Sequence, residues 1–208
     1  MFANRATAGV KLAEKLKKIK FTNPLILALP RGGVPVGFEI AKRLKTPLEV
    51  IVARKIGSPN NPELGVGAIS EEGNIVLDRG LIGFLGISDL ELRKIITSEN
   101  EELQRRINLY RKGKKIGGLS KFEVILVDDG LATGGTAKAA VKFIKTKKPK
   151  KLIFASPIGS REIVESIKKM VDDIVILDIA DGLGSIGAWY RDFKQLTDKE
   201  VLEILKRR

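Results

Sequence analysis

Residues 124–136 read Val-Ile-Leu-Val-Asp-Asp-Gly-Leu-Ala-Thr-Gly-Gly-Thr. A short apolar run of strand character ends in two adjacent carboxylates, Asp128 and Asp129, and a Gly/Thr turn then opens a helical pattern. Two carboxylates cannot both enter an apolar core at acceptable cost, so at least one faces a crevice. There it can accept hydrogen bonds from the vicinal hydroxyls of a sugar. The turn from Ala132 through Thr133, Gly134 and Gly135 to Thr136 offers amides and hydroxyls beside a helix N-terminus, which suits a monophosphate. A 5-phosphoribosyl group carries both features at that separation. The segment is neither a Walker A loop nor G-x-G-x-x-G. A plain strand-to-helix turn accounts for the glycines and one capping threonine, but not for two acids at its mouth.

What the chain lacks narrows the chemistry further. Its 208 residues include no Cys and no His. Disulfides, thiolate nucleophiles, Cys-ligated metals and Ser-His-Asp triads are thereby excluded. Carboxylate, Lys, Arg, hydroxyl and amide chemistry remains, with hard oxygen-bound ions such as Mg2+. Lys and Arg number 38 against 25 Asp and Glu, a net charge of +13. That excess suits phosphate-rich partners, and it equally suits a heat-adapted surface. Charge alone does not choose between them.

The elements that must position these residues follow an α/β rhythm of buried strands and amphipathic helices. Helices are expected over residues 7–19, from Pro35 to about Leu44, from the Ser88 capping box to about Lys112, from Gly135 to Ile144, near 160–170, and after Thr197. Strands are expected over 24–29, 48–53, 124–127, 152–155 and 173–177, with a hairpin over 66–69 and 74–77. The fold expected is a mainly parallel sheet flanked by helices, read as a single domain over 1–208. The Lys-rich run 142–151 reads as a solvated helix end. With 43% hydrophobic residues and a mean hydropathy of -0.01, the chain is neither a disordered tail nor a membrane protein. No apolar run approaches the roughly 18 residues of a span, and the N-terminus lacks the apolar stretch of a secretory signal. A cytoplasmic protein without membrane contact is expected.

The segment around Asp128 resembles the phosphoribosyl pyrophosphate (PRPP) signature of type I phosphoribosyltransferases, and its wording is similar to adenine phosphoribosyltransferase. The resemblance implies that Asp128 and Asp129 hold the ribose hydroxyls and that Ala132, Thr133, Gly134, Gly135 and Thr136 hold the 5-phosphate. In 6-oxopurine enzymes the position of Ala132 is an aspartate proposed as general base; its absence here speaks against hypoxanthine or guanine. Leu29-Pro30-Arg31-Gly32-Gly33 looks like the family's pyrophosphate loop. Arg54-Lys55, directly after the second expected strand, resembles the pair from which the mobile catalytic loop departs. Residues 61–69 and 187–193 extend the likeness to a group of uncharacterised, predicted phosphoribosyltransferases. The family fold carries a small hood, here assigned to the C-terminal part, and a hairpin and helical insertion. In the hood, Trp189 or Tyr190 would stack on an acceptor base or serve as a core anchor.

The implied reaction displaces pyrophosphate from PRPP by a nitrogen of a small acceptor, a nucleobase. Mg2+ is the implied cofactor, reached by Asp128 and Asp129 through ribose or water. Arg31, Lys55 and Arg54 would neutralise the leaving pyrophosphate. Without His, any base is a carboxylate, and Glu63, Glu71 and Glu72 are the candidates. A homo-oligomer, a dimer, is expected. The competing reading is a PRPP- or nucleotide-sensing regulatory protein that binds nucleic acid, although no nucleic-acid-binding motif is visible.

Overall fold

The computed structural model describes residues 1–62 and 64–207 and divides the chain into two compact units. The first comprises Met1–Ile51, Gly117–Gly134 and Lys147–Arg208. Its centre is a five-stranded, wholly parallel sheet in the order β2-β1-β6-β7-β8. These strands are β1 (Pro24–Ala28), β2 (Leu48–Val50), β6 (Glu123–Val127), β7 (Lys151–Ser160) and β8 (Asp173–Ala180). Ile26, Leu27, Ile125, Leu126, Ile153 and Phe154 are fully buried. Near-continuous apolar strands of this kind belong in a parallel sheet that is covered by helices.

Helices α1 (Arg5–Leu16), α2 (Gly33–Leu44), α6 (Arg161–Lys168) and α7 (Asp198–Lys206) complete this unit. α1 packs on α2, β7 and β8, and buries Leu12, Ala13 and Leu16. The Asn4 side chain caps α1 through the Thr7 amide, in a capping box with Thr7. Pro35 falls in the first turn of α2, as expected of a residue with no N–H to lose. Because all five strands are parallel and β6 lies between β1 and β7, the residues that follow β1 and β6 emerge side by side at one edge.

The second unit comprises Val52–Ile116 and Gly135–Thr146. Here β3 (Ala53–Gly57), β4 (Gly65–Ser70) and β5 (Asn74–Leu77) form an antiparallel sheet, accompanied by α3 (Arg79–Phe84), α4 (Asp89–Arg111) and α5 (Gly135–Thr146). The expected hairpin is β4–β5, and α4 begins at the Ser88 capping box with Glu91. One strand departs from expectation. The apolar run 48–53 is not a single strand: β2 ends at Val50, and Ala53 already belongs to the antiparallel sheet. The amide of Ile51 still donates to Ala28, but that of Val52 is taken by the Glu71 carboxylate at 2.9 Å. The chain leaves the parallel sheet at that point. Arg54 and Lys55, expected directly after the second core strand, therefore lie within β3, paired with Ile69 and Ala68.

Candidate active site

The acid pair follows the last residue of β6, at the centre of the parallel sheet. Asp128 and Asp129 are both half-buried, and Asp128 Oδ1 accepts the Asp129 amide at 2.9 Å. Burial first, and the neighbouring Asp129 charge second, raise the Asp128 carboxyl well above the ordinary range. The next strand over, β1, leads into Pro30-Arg31-Gly32-Gly33. The Pro30–Arg31 peptide is cis, and Gly33 begins α2 with its amide donating to Leu29. This turn lies against the acids. A Cβ at Gly32 would lie 1.8 Å from Asp129 Oδ2, and one at Gly33 would lie 2.7 Å from the Val127 carbonyl. Arg31, Gly32, Gly33, Asp128 and Asp129 thus meet at one edge of the sheet. The two glycines are required for contact, not merely for a turn.

Asp129 is held from the chain ends as well. Arg5, the first residue of α1, donates from Nε to Asp129 Oδ2 at 2.7 Å. The Arg5 guanidinium lies 3.8 Å from the Phe193 ring centroid, and its Nη1 donates to the Lys194 carbonyl at 3.0 Å. The Tyr190 hydroxyl donates to the backbone carbonyl of Asp129 at 2.6 Å. Tyr190 is buried, with Phe2 at 5.4 Å and Phe193 at 5.0 Å between ring centroids. Burial and the Asp129 charge push its phenol upward, so it remains a donor at neutral pH. Backbone bonds complete the clasp: Phe2 donates to Trp189, and Arg191 donates back to Phe2.

Of the two roles the sequence left open for Tyr190, base platform or core anchor, its surroundings are those of the anchor. Its ring packs between Phe2 and Phe193, and its hydroxyl is taken by the Asp129 carbonyl. Trp189 is half-buried at the end of a 3-10 turn, Ile186–Trp189, and packs at the margin of the Phe2–Tyr190 cluster.

Downstream of the acids, Leu131 exchanges backbone bonds with Ile158 and Ser160 at the end of β7. Ala132 and Thr133 then turn outward, and Gly134 adopts φ +71. A side chain there would be strained, and its Cβ would come 2.4 Å from Ile163 Cγ2. Gly135 and Thr136 open α5, so their amides belong to the unpaired first turn of a helix.

In the second unit, Arg54 Nε is paired with Glu99 at 2.7 Å. Arg54 and Lys55 line a cavity of about 400 Å3 together with Ser58, Ile95 and Glu99. Of the three candidate bases, Glu63 lies outside the described residues. Glu71 is not available: it is buried, ion-paired to buried Arg111, and accepts the Val52 amide. Burial raises its carboxyl, while Arg111 opposes the shift. Glu72 is exposed, in a turn at φ +56.

Arg5 is the residue that sequence reading missed. It is 124 positions from its partner and lies in an ordinary amphipathic helix start. The one available signal was an arginine at the first position of a helix, where a cation opposes the dipole and a tertiary partner is called for.

A model of the phosphoribosyl transferase domain matches residues 4–181. A Mycobacterium tuberculosis protein, provisionally named a phosphoribosyl transferase, is 38% identical over 207 residues. That match covers 100% of this chain and 47% of the relative, so the chain spans about half the length of that curated protein. A uracil phosphoribosyltransferase of Dictyoglomus thermophilum is 29% identical over 148 residues, 69% of each chain. The crystal structure of TT1426 from Thermus thermophilus superposes with a TM-score of 0.81 at 35% identity, covering 99% of this chain and 98% of that one. The parallel sheet, with the acid pair and the Gly32 turn at one edge, has the architecture of the type I phosphoribosyltransferases. The chain belongs to the phosphoribosyl transferase domain family. Among the described residues no helix is long and apolar enough to cross a membrane.

Proposed function

We propose that the protein transfers the 5-phosphoribosyl group of PRPP to a nitrogen of a small acceptor, a nucleobase, with release of pyrophosphate. The observation that carries this reading is the meeting of Asp129 with Gly32 at adjacent strand ends, where a sugar and its diphosphate would be joined.

The ribose hydroxyls are taken by Asp128 and Asp129, and the 5-phosphate by the amides and hydroxyls of Ala132, Thr133, Gly134, Gly135 and Thr136. Arg31 and the backbone at Gly32 and Gly33 receive the diphosphate. The C1–O bond to pyrophosphate breaks and the pyrophosphate departs with its electron pair. An N–C1 bond forms from the opposite face, and the acceptor nitrogen loses its proton to solvent or to a carboxylate. The transition state is oxocarbenium-like, so carboxylate charge beneath the ribose stabilises it more than the ground state.

Among the described residues no three His, Cys, Asp or Glu side chains converge on a metal site. The two carboxylates present all-oxygen donors, which fit an Mg2+ that arrives with the diphosphate and keeps most of its water. Asp128 and Asp129 would hold it through ribose or water. When bound, the ion neutralises diphosphate charge.

Incubation with PRPP, Mg2+ and a panel of purine and pyrimidine bases, read by mass spectrometry, tests the reading. A new nucleoside monophosphate with stoichiometric pyrophosphate supports it. Tight PRPP binding without any pyrophosphate release would replace it with a sensing role.

A further inference from the structure

Asp129 carries more restraints than a ribose-binding carboxylate needs. Its Oδ2 receives the Arg5 Nε–H at 2.7 Å and faces the bare Cα of Gly32. Its backbone carbonyl receives the Tyr190 hydroxyl at 2.6 Å, and its amide donates to Asp128 Oδ1 at 2.9 Å. Arg5 is itself fixed three ways: by the capped start of α1, by the Phe193 ring at 3.8 Å and by the Lys194 carbonyl at 3.0 Å. The ion pair is largely withdrawn from water, with side-chain exposures of 11% for Arg5 and 15% for Asp129. A pair so enclosed and oriented is not the loose surface kind whose contribution is negligible.

We propose that Arg5 is a positioning residue for the donor reaction, acting through Asp129. It sets the carboxylate's rotamer against the pyrophosphate turn before PRPP arrives. The inference rests on the assignment of Asp129 to the ribose. Without Arg5, Asp129 must find its orientation during binding, and a catalytic group misplaced by about an ångström costs on the order of a hundredfold. The loss falls on the donor side of the reaction. The contacts of Arg5 run to Asp129, Phe193 and Lys194, so the acceptor KM is expected to stay unchanged.

The test compares wild type, Arg5→Met, Arg5→Lys, Asp129→Asn and the Arg5→Met/Asp129→Asn double variant. Methionine keeps a long unbranched side chain without the guanidinium that faces Phe193 and Asp129, and lysine restores a single cation. Melting temperature and calorimetric PRPP affinity are measured for all, together with kcat and KM for both substrates. The expected result is a ten- to hundredfold loss of kcat/KM for PRPP in Arg5→Met, an unchanged acceptor KM, and partial recovery in Arg5→Lys. The double variant is no worse than Asp129→Asn alone, the non-additivity of two groups acting as one. Independent, multiplying losses would overturn the proposal, as would Arg5→Met activity equal to or above wild type. If wild type turns over and only these comparisons fail, the transferase reading stands and the Arg5 assignment falls. If wild type neither binds PRPP nor releases pyrophosphate, both fall.

Discussion

The carboxylate of Asp129 occupies the space that a side chain at Gly32 would fill: a Cβ there would lie 1.8 Å from Oδ2. Two loops from adjacent parallel strands are thereby locked in mutual contact, one bearing the acid pair and the other the turn beside Arg31. Gly32→Ala is therefore expected to displace Asp129 from Arg5, or the turn from the sheet edge. PRPP affinity measured by calorimetry should fall at least tenfold. An unchanged affinity would show that the contact is incidental to donor binding.

Asp128 is held in a state that folding alone disfavours. Its folded-state pKa is raised, chiefly by burial and then by Asp129, so the folded protein holds the Asp128 proton more tightly than the unfolded chain does. As pH falls through that raised value the folded state takes up the proton first, and stability rises until the unfolded carboxyl, near about 4, is protonated too. Asp128→Asn keeps the acceptor for the Asp129 amide and removes the charge. Its melting temperature should exceed wild type at pH 8, and the difference should vanish below about pH 4. Equal melting temperatures across that range would contradict the assignment, and a gain in stability at the expense of activity would mark a functional strain.

In the second unit, the buried Glu71–Arg111 pair holds the Val52 amide that redirects the chain out of the parallel sheet. Arg111 Nε and Nη1 are buried and without hydrogen-bond partners among the described residues. Glu71→Gln retains an acceptor for Val52 but strands the guanidinium charge, at an expected cost of about 3 kcal/mol by urea unfolding. Adding Arg111→Met should return most of that loss. A double variant as unstable as the sum of the two single variants would show that the two groups act independently and would contradict the stranded-charge account.

Much of this arrangement is legible in the linear sequence, for a physical reason. In a parallel sheet, strand-end residues collect at one edge, so apolar strands followed by Pro-Arg-Gly-Gly and by Asp-Asp announce a shared site whatever their separation. Capping boxes at Ser88 and Thr197 are local chemistry and emerge as expected. The run 48–53 offers no periodicity break, because the break is made by a carboxylate 19 residues away. α3 is hidden by its glycines, and only the Asp78 cap on the Leu81 amide marks it. β7 runs on to Ser160 past Pro157, a residue that withholds a ladder donor and looks like a stop. Arg5 and Tyr190 reach Asp129 from opposite ends of the chain, and no local pattern encodes that meeting.

The central claim is that Asp128 and Asp129 serve a ribosyl transition state, and the most direct measurement is kcat beside PRPP affinity in the Asp128→Asn/Asp129→Asn double variant. The amides are near-isosteric and retain hydrogen-bonding capacity, so PRPP can still be held in the ground state. Lost negative charge weakens the cationic transition state selectively. The expected result is a fall in kcat of about a hundredfold or more, within the range of removing a transition-state electrostatic contact, and a smaller loss of PRPP affinity by calorimetry. A loss of affinity with no wild-type turnover to lose would contradict the account and leave a PRPP-binding sensor in its place.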